Sequence, residues 1–218
     1  MPKVSDSYLD ARRAQILDAA IICFARQGFH RATMQNIVEE SKLSPGAIYN
    51  YFASKEDVVE AIAKERHQKE KKLVQDAQKE PNAARVVRRI RDAFLGELRN
   101  PRDRLRRRLS VQLWAEAQRN PRIKKIAQRG VTQIRTLLRG ILADAQHRRE
   151  ISLDLDPDAL ARFMIAAFQG FLLQMEWDED VSVEAYSRVL EAFLKLLFSR
   201  VSLPAGRPPA ARVRVRKR

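Results

Sequence analysis

A single cysteine, Cys23, cannot form an internal disulfide, and a lone thiol fits a reducing, cytoplasmic setting. Glycine and proline are scarce, seven and nine, and several of them fall after residue 201. The long stretches they leave uninterrupted are dominated by Ala, Leu, Arg, Glu, Gln and Lys, which favour helix. No apolar run approaches the ~18 residues of a membrane span, and the N-terminus lacks the apolar core of a secretory signal. P-loop, nucleophile elbow and Gly-rich dinucleotide turn are all missing. The three histidines, His30, His67 and His147, are too scattered for paired zinc ligands. These gaps argue against an enzyme, and no metal or cofactor is expected.

What is present is positive charge, +15 overall, and that points to a polyanionic partner. Its distribution is uneven. Residues 1–60 carry a net −1, 61–110 carry +9, 111–150 carry +6, 151–199 carry −6 and 200–218 carry +7. Total charge therefore does not identify a DNA-reading segment, and individual residues must.

The apolar periodicity predicts an all-α chain of about nine helices. The first spans about 8–27, with Ile16, Ala19, Ala20, Cys23 and Phe24 on one face and Gly28 as its left-handed terminator. Thr33 caps a second helix to about 41. Ser44 caps a third, with Pro45 at its first position, and Ser54 caps a fourth to about 79 with Glu56 and Asp57 in its first turn. That fourth helix turns very polar after residue 64 and reads as a connecting rod. Five more helices follow, over about 82–99, 102–118, 120–148, 156–177 and 182–200. Residues 1–7 read as a frayed leader and 202–218 as a disordered basic tail. The expected division is a reading head at 8–55 with its motif at 33–52, a connecting helix at 56–80, and a ligand-binding and dimerisation unit at 81–201.

The second and third helices carry the chemistry. Two short helices joined by a tight turn suit a helix-turn-helix, whose second helix lies in the major groove. Gly46 lets the backbone approach the duplex closely, and the free N–H groups around Ser44, Pro45, Gly46 and Ala47 suit a phosphate. Tyr49 and Tyr51 offer hydroxyls on rigid arms, and Asn50 can donate and accept. Thr33 and Gln35 start the preceding helix, while Lys42 and Lys55 add charge. Most such contacts set position and few read sequence. Taken alone, either tyrosine is better explained by packing.

Residues 12–58, with Gly28-Phe29, Thr33, Ile37, the Gly46-x-x-Tyr49-x-Tyr51-Phe52 core and Ser54-Lys55-Glu56, resemble the TetR family of bacterial transcriptional regulators. Pro45 stands where many members have Lys or Arg, and Asn50 where His is common. The resemblance implies an all-helical homodimer with an N-terminal helix-turn-helix head and a C-terminal effector domain. It further implies double-stranded DNA with a palindromic operator as one partner and a small effector as another, with repression as the default.

Under that reading the effector, apolar or amphipathic, lodges among the helices of about 83–177. Candidate lining residues are Phe94, Leu98, Leu109, Leu113, Trp114, Ile134, Leu138, Phe163, Met164 and Phe168, with Gln112, Gln133 or Gln169 for polar recognition. The same residues at helical spacing also serve as ordinary core. An arginine run, Arg102, Arg104, Arg106, Arg107 and Arg108, suits either an anionic group or a solvated face. The last two helices are too broadly apolar for one subunit. A two-fold four-helix interface through Leu160, Met164, Ala167, Gly170, Phe171, Tyr186, Leu190, Phe193 and Leu197 is expected. The rival reading is a helical scaffold protein that uses its helix-turn-helix for protein contacts.

Overall fold

The computed structural model describes residues 6–199, apart from the side chains of Asp6 and Arg102. Nine α-helices occupy the described residues: α1 (Asp6–Gln27), α2 (Met34–Ser41), α3 (Pro45–Tyr49), α4 (Lys55–Ala77), α5 (Ala83–Arg99), α6 (Arg104–Glu116), α7 (Pro121–His147), α8 (Pro157–Trp177) and α9 (Val183–Leu197). The expected basic tail and most of the expected leader lie outside the described residues.

Local chemistry sets most of the helix starts. Thr33, Ser44, Ser54, Asn82, Asn120, Asp156 and Ser182 each accept a hydrogen bond from a backbone N–H in the first turn of the helix that follows, a contact worth about 1 kcal/mol apiece. Pro45, Pro121 and Pro157 occupy first-turn positions, where a missing N–H costs little. Gly28 ends α1 at φ 84°. One start differs from expectation: a 3-10 turn, Pro101–Asp103, precedes α6, and Asp103 makes no side-chain cap.

Packing joins the reader to the rest. One buried cluster holds Ile16, Phe24, Ile37, Ile48, Phe52 and Val58 of α1–α4 and continues without a break into Leu109 of α6 and Ile123 and Ile126 of α7. A second holds Val74 of α4, Ile90 of α5, Leu142 of α7 and Leu194 of α9. The fourth helix is therefore less of a rod than its polarity predicts. Glu70, Val74 and Ala77 are buried on one stripe, and α4 packs along α5 and α7.

Candidate DNA-reading surface and effector cavity

The α2–α3 unit is built from its inward residues. Ile37, Val38 and Ile48 are buried, so the intervening residues are forced outward. Thr33, Gln35, Lys42, Ser44, Pro45, Gly46, Tyr49 and Asn50 are exposed, while Ala47 and Tyr51 are half-buried. Tyr49 is 54% exposed, more than packing alone requires of an aromatic. Thr33 and Asn36 form a reciprocal capping box, with Asn36 N–H to Thr33 Oγ1 at 3.2 Å and Thr33 N–H to Asn36 Oδ1 at 3.0 Å. A Cβ at Gly46 would meet nothing within 4 Å, so the surface there lies open.

Lys55 has a different first task from the one its charge suggested. Its ammonium donates to the carbonyls of Phe29 at 2.9 Å and His30 at 3.2 Å, and lies 4.8 Å from the Phe29 ring centroid. It ties the start of α4 to the turn after α1. Beside it, Arg122 at the start of α7 pairs with Asp57 and donates to Ser54 Oγ at 3.2 Å. Asn120 donates to Glu56 at 3.0 Å and Arg129 to Glu60 at 2.7 Å. The Arg122 hydrogen bond holds the Asp57 carboxyl below its ordinary pKa. This clasp fixes the start of α7 to the start of α4.

Between α4 and α9 lies a cavity of about 520 Å³. Phe94, Leu109, Leu113, Trp114, Ile134, Leu138, Met164 and Phe168 line it, as does Gln169. Phe94 and Phe168 meet with ring centroids 5.2 Å apart. Four expected lining residues lie elsewhere. Leu98 is buried in a separate cluster with Phe171 and Leu172. Gln112 spends its amide on the Ala25 carbonyl at 3.3 Å. Phe163 points outward, 56% exposed. Gln133 likewise turns away, donating to the His67 carbonyl at 3.4 Å. Of the arginine run, Arg106 and Arg107 reach the cavity wall while Arg104 and Arg108 face solvent.

Two polar wall residues that were not anticipated, His67 and Glu70, come from α4. His67 packs against Gly130, where a Cβ would come within 2.5 Å of its Nε2, and burial pushes its pKa down. Glu70 is buried, with Oε1 accepting from Arg66 Nε at 2.7 Å. Their only sequence signal is the weak stripe they share with Val74 and Ala77.

The apolar arc of α8 and α9 sits about one residue out of register with expectation. Leu160, Phe171 and Leu194 are buried in the subunit's own core. Met164, Tyr186 and Leu190 face the cavity, and Tyr186 stacks on Phe171 at 3.8 Å. Leu197 and Phe193 pack at the edge of the core. What remains outside is Phe163, Trp177, Val189 and Leu196, the last three at least 70% exposed. Ala167 and Gly170 are half-buried, and the space over Gly170 is open. A helix that is apolar nearly all round gives no sign of which sector turns inward.

Comparison with known proteins agrees with this architecture. Residues 16–62 match the model of bacterial regulatory proteins of the tetR family, and residues 83–199 match the C-terminal domain of BetI-type transcriptional repressors. The chain is 26% identical over 197 residues to the HTH-type transcriptional regulator UidR of Escherichia coli K12, a match covering 84% of this chain and 90% of that one. Salmonella enterica GusR superposes with a TM-score of 0.74 at 28% identity, over 90% of this chain and 98% of that one. The fold is shared also with the transcriptional regulator FadR of Bacillus subtilis, solved with stearoyl-CoA, at a TM-score of 0.70 and 21% identity over 87% and 99% of the two chains. Two matching family models, one at the reading head and one over more than half the chain, show that this is a helix-turn-helix transcriptional regulator belonging to the TetR family.

Proposed function

We propose that the protein is a homodimeric repressor that sits on a palindromic operator and is released by a small apolar or amphipathic effector. The observation that carries the reading is the continuity of α4. Its first turns, Val58 and Val59, belong to the core of the reader. Further along, Ile62, His67, Glu70 and Leu73 of the same helix form part of the cavity wall. An occupant of the cavity that prefers one setting of α4 shifts the population of head positions. Two half-sites on a duplex demand a fixed separation of the two recognition helices, so a small shift costs affinity. The stearoyl-CoA held by the FadR relative supports a ligand role for such a space.

Thr33, Gln35, Lys42, Ser44, Gly46, Tyr49 and Asn50 are the proposed DNA contacts, with Pro45, Ala47 and Tyr51 packing on the sugar-phosphate backbone. Lys55 contributes by holding the start of α4. The proposed division is a head up to the start of α4, α4 as the shared link, and a regulatory and dimerising body from α5 onward. Selection of genomic fragments by the purified protein tests the function. An inverted repeat with half-sites about one helical turn apart, or a multiple of it, is expected. Recovery of only unrelated, salt-sensitive sequences contradicts it.

A further inference from the structure

We propose that the effector is an uncharged aromatic alcohol or phenol, and that Trp114, Gln169 and Tyr186 receive its hydroxyl at one end of the cavity. The inference rests on the effector reading above and deepens it. All three residues are half-buried and line the cavity. None of their side-chain polar groups has a hydrogen-bond partner among the described residues, yet none is closed off from solvent. Indole N–H and phenol O–H groups drawn out of water usually find a partner. Burial pushes the Tyr186 pKa up, so its hydroxyl keeps the proton it can donate. These unspent groups favour an occupant that brings a matching oxygen.

Packing brings the three to the same end. Trp114 of α6, Phe168 of α8 and Tyr186 of α9 all pack against one buried cluster of Leu95, Leu98, Phe171 and Leu172. Gln169 follows Phe168 on the cavity-facing stripe of α8, one turn before Leu172. Tyr186 is held by its stack on Phe171 at 3.8 Å, and Phe168 by Phe94 at 5.2 Å. A flat ring suits such aromatic walls. Trp114 can only donate, whereas Tyr186 and Gln169 both donate and accept. A hydroxyl, which also does both, meets all three; a few polar groups in an apolar pocket suffice to fix a ligand's orientation.

The charges of the wall argue against a charged head group at this end. They are confined to the α4–α6 side, and α7, α8 and α9 contribute none. Most are already matched. Arg66 donates to Glu70 at 2.7 Å and lies 3.9 Å from Glu97, while Glu65 accepts from Arg13. Arg91 pairs with Asp92 and Glu191, Arg106 with Asp18, and Asp103 accepts from Asn100. Lys69 alone among the described wall cations makes no such contact; it is exposed, and Glu97 feels its charge. Arg107 lies two turns before Trp114. It donates to the carbonyls of Glu97 and Asn100 at 3.1 and 3.3 Å, and the Glu176 and Asp103 carboxylates already act on it. Burial holds the His67 pKa down. A charged group beside Trp114 and Tyr186 would shed its water with no unmatched counter-charge to meet it. A neutral hydroxyl needs only the hydrogen bonds on offer.

The test is isothermal titration of the full-length protein at pH 7.5 with probes on one ring system: 1-naphthalenemethanol, 1-methylnaphthalene, 1-naphthoate and 1-naphthylmethylamine. The alcohol is expected to bind ~5-fold or more tighter than each of the others. Tyr186→Phe, which keeps the stacked ring, and Gln169→Met are each expected to weaken the alcohol ~5-fold while moving 1-methylnaphthalene less than about 2-fold. If either variant fails to fold, the ranking of the probes on the unsubstituted protein decides alone. An alcohol no tighter than 1-methylnaphthalene, or one that ignores both substitutions, overturns the hydroxyl assignment and leaves the cavity a ligand site. A charged probe that matches or exceeds the alcohol overturns the uncharged class in the same way. No binding of any probe overturns this inference and the effector reading together.

Discussion

Lys42 sits in the turn of the helix-turn-helix at φ 56°, a left-handed conformation that costs a side chain with a Cβ about 1 kcal/mol. Lys42→Gly is expected to raise unfolding stability by roughly that amount while weakening operator binding, because it also removes an exposed charge. A urea titration paired with an anisotropy titration checks both signs, and a loss of stability contradicts the first. Tyr49 and Lys55 form the complementary pair. Tyr49→Ala is expected to cost operator affinity ~10-fold with little change in Tm, since the ring is largely exposed. Lys55→Met is expected to lower stability by about 1 kcal/mol, because its ammonium satisfies two carbonyls. Thermal melts alongside operator titrations separate the two. Capping residues were legible in the sequence because a cap bonds within three residues of itself. Lys55 was not, because its partners lie 25 and 26 residues away.

Within α7, two glycines ten positions apart make opposite predictions. A Cβ at Gly140 would meet nothing within 4 Å, so Gly140→Ala is expected to stabilise the protein by about 1 kcal/mol through helix propensity. At Gly130 the same Cβ meets His67, so the propensity gain is offset by displacement of that ring. Equal gains from both substitutions in chemical denaturation contradict the close packing of α4 on α7. The clasp between these helices is also testable by pH. Arg122 holds the Asp57 pKa below its ordinary value. A depressed carboxylate pKa stabilises the folded state above the unfolded value, ~3.9 for Asp, and that contribution disappears as pH falls through the lower folded value. The pair is partly exposed, so at most about 1 kcal/mol is expected. The stability gap between the unsubstituted protein and Asp57→Asn should be present at pH 7 and vanish in strong acid; a gap that persists in acid contradicts the ionic origin. Helix existence and most helix starts were readable from the periodicity. The buried stripe of α4 was not, because Glu70 is indistinguishable in sequence from the solvated acids and lysines around it.

For the whole molecule, the proposed function turns on a face the subunit leaves bare. Trp177, Val189 and Leu196 expose large apolar surface on α8 and α9, and such patches seldom stay in water. A second copy of the chain covering this face is the proposed source of two-fold symmetry. The sequence announced that surplus of apolar residues, yet it assigned Phe171 and Leu190 to the outside, where the subunit itself uses them. Packing among all nine helices settles the rotation of α8 and α9, and no local pattern contains that information. The uneven charge fits the same scheme: a near-neutral head leaves specificity to individual contacts. The most direct test compares the protein with its Val189→Asp, Leu196→Asp double variant, by solution mass and by affinity for the selected operator. A dimeric parent and a folded monomeric variant at least ~100-fold weaker on DNA are predicted, since two linked heads gain by avidity. A monomeric parent, or a monomeric variant that binds the operator as tightly as the parent, contradicts the account.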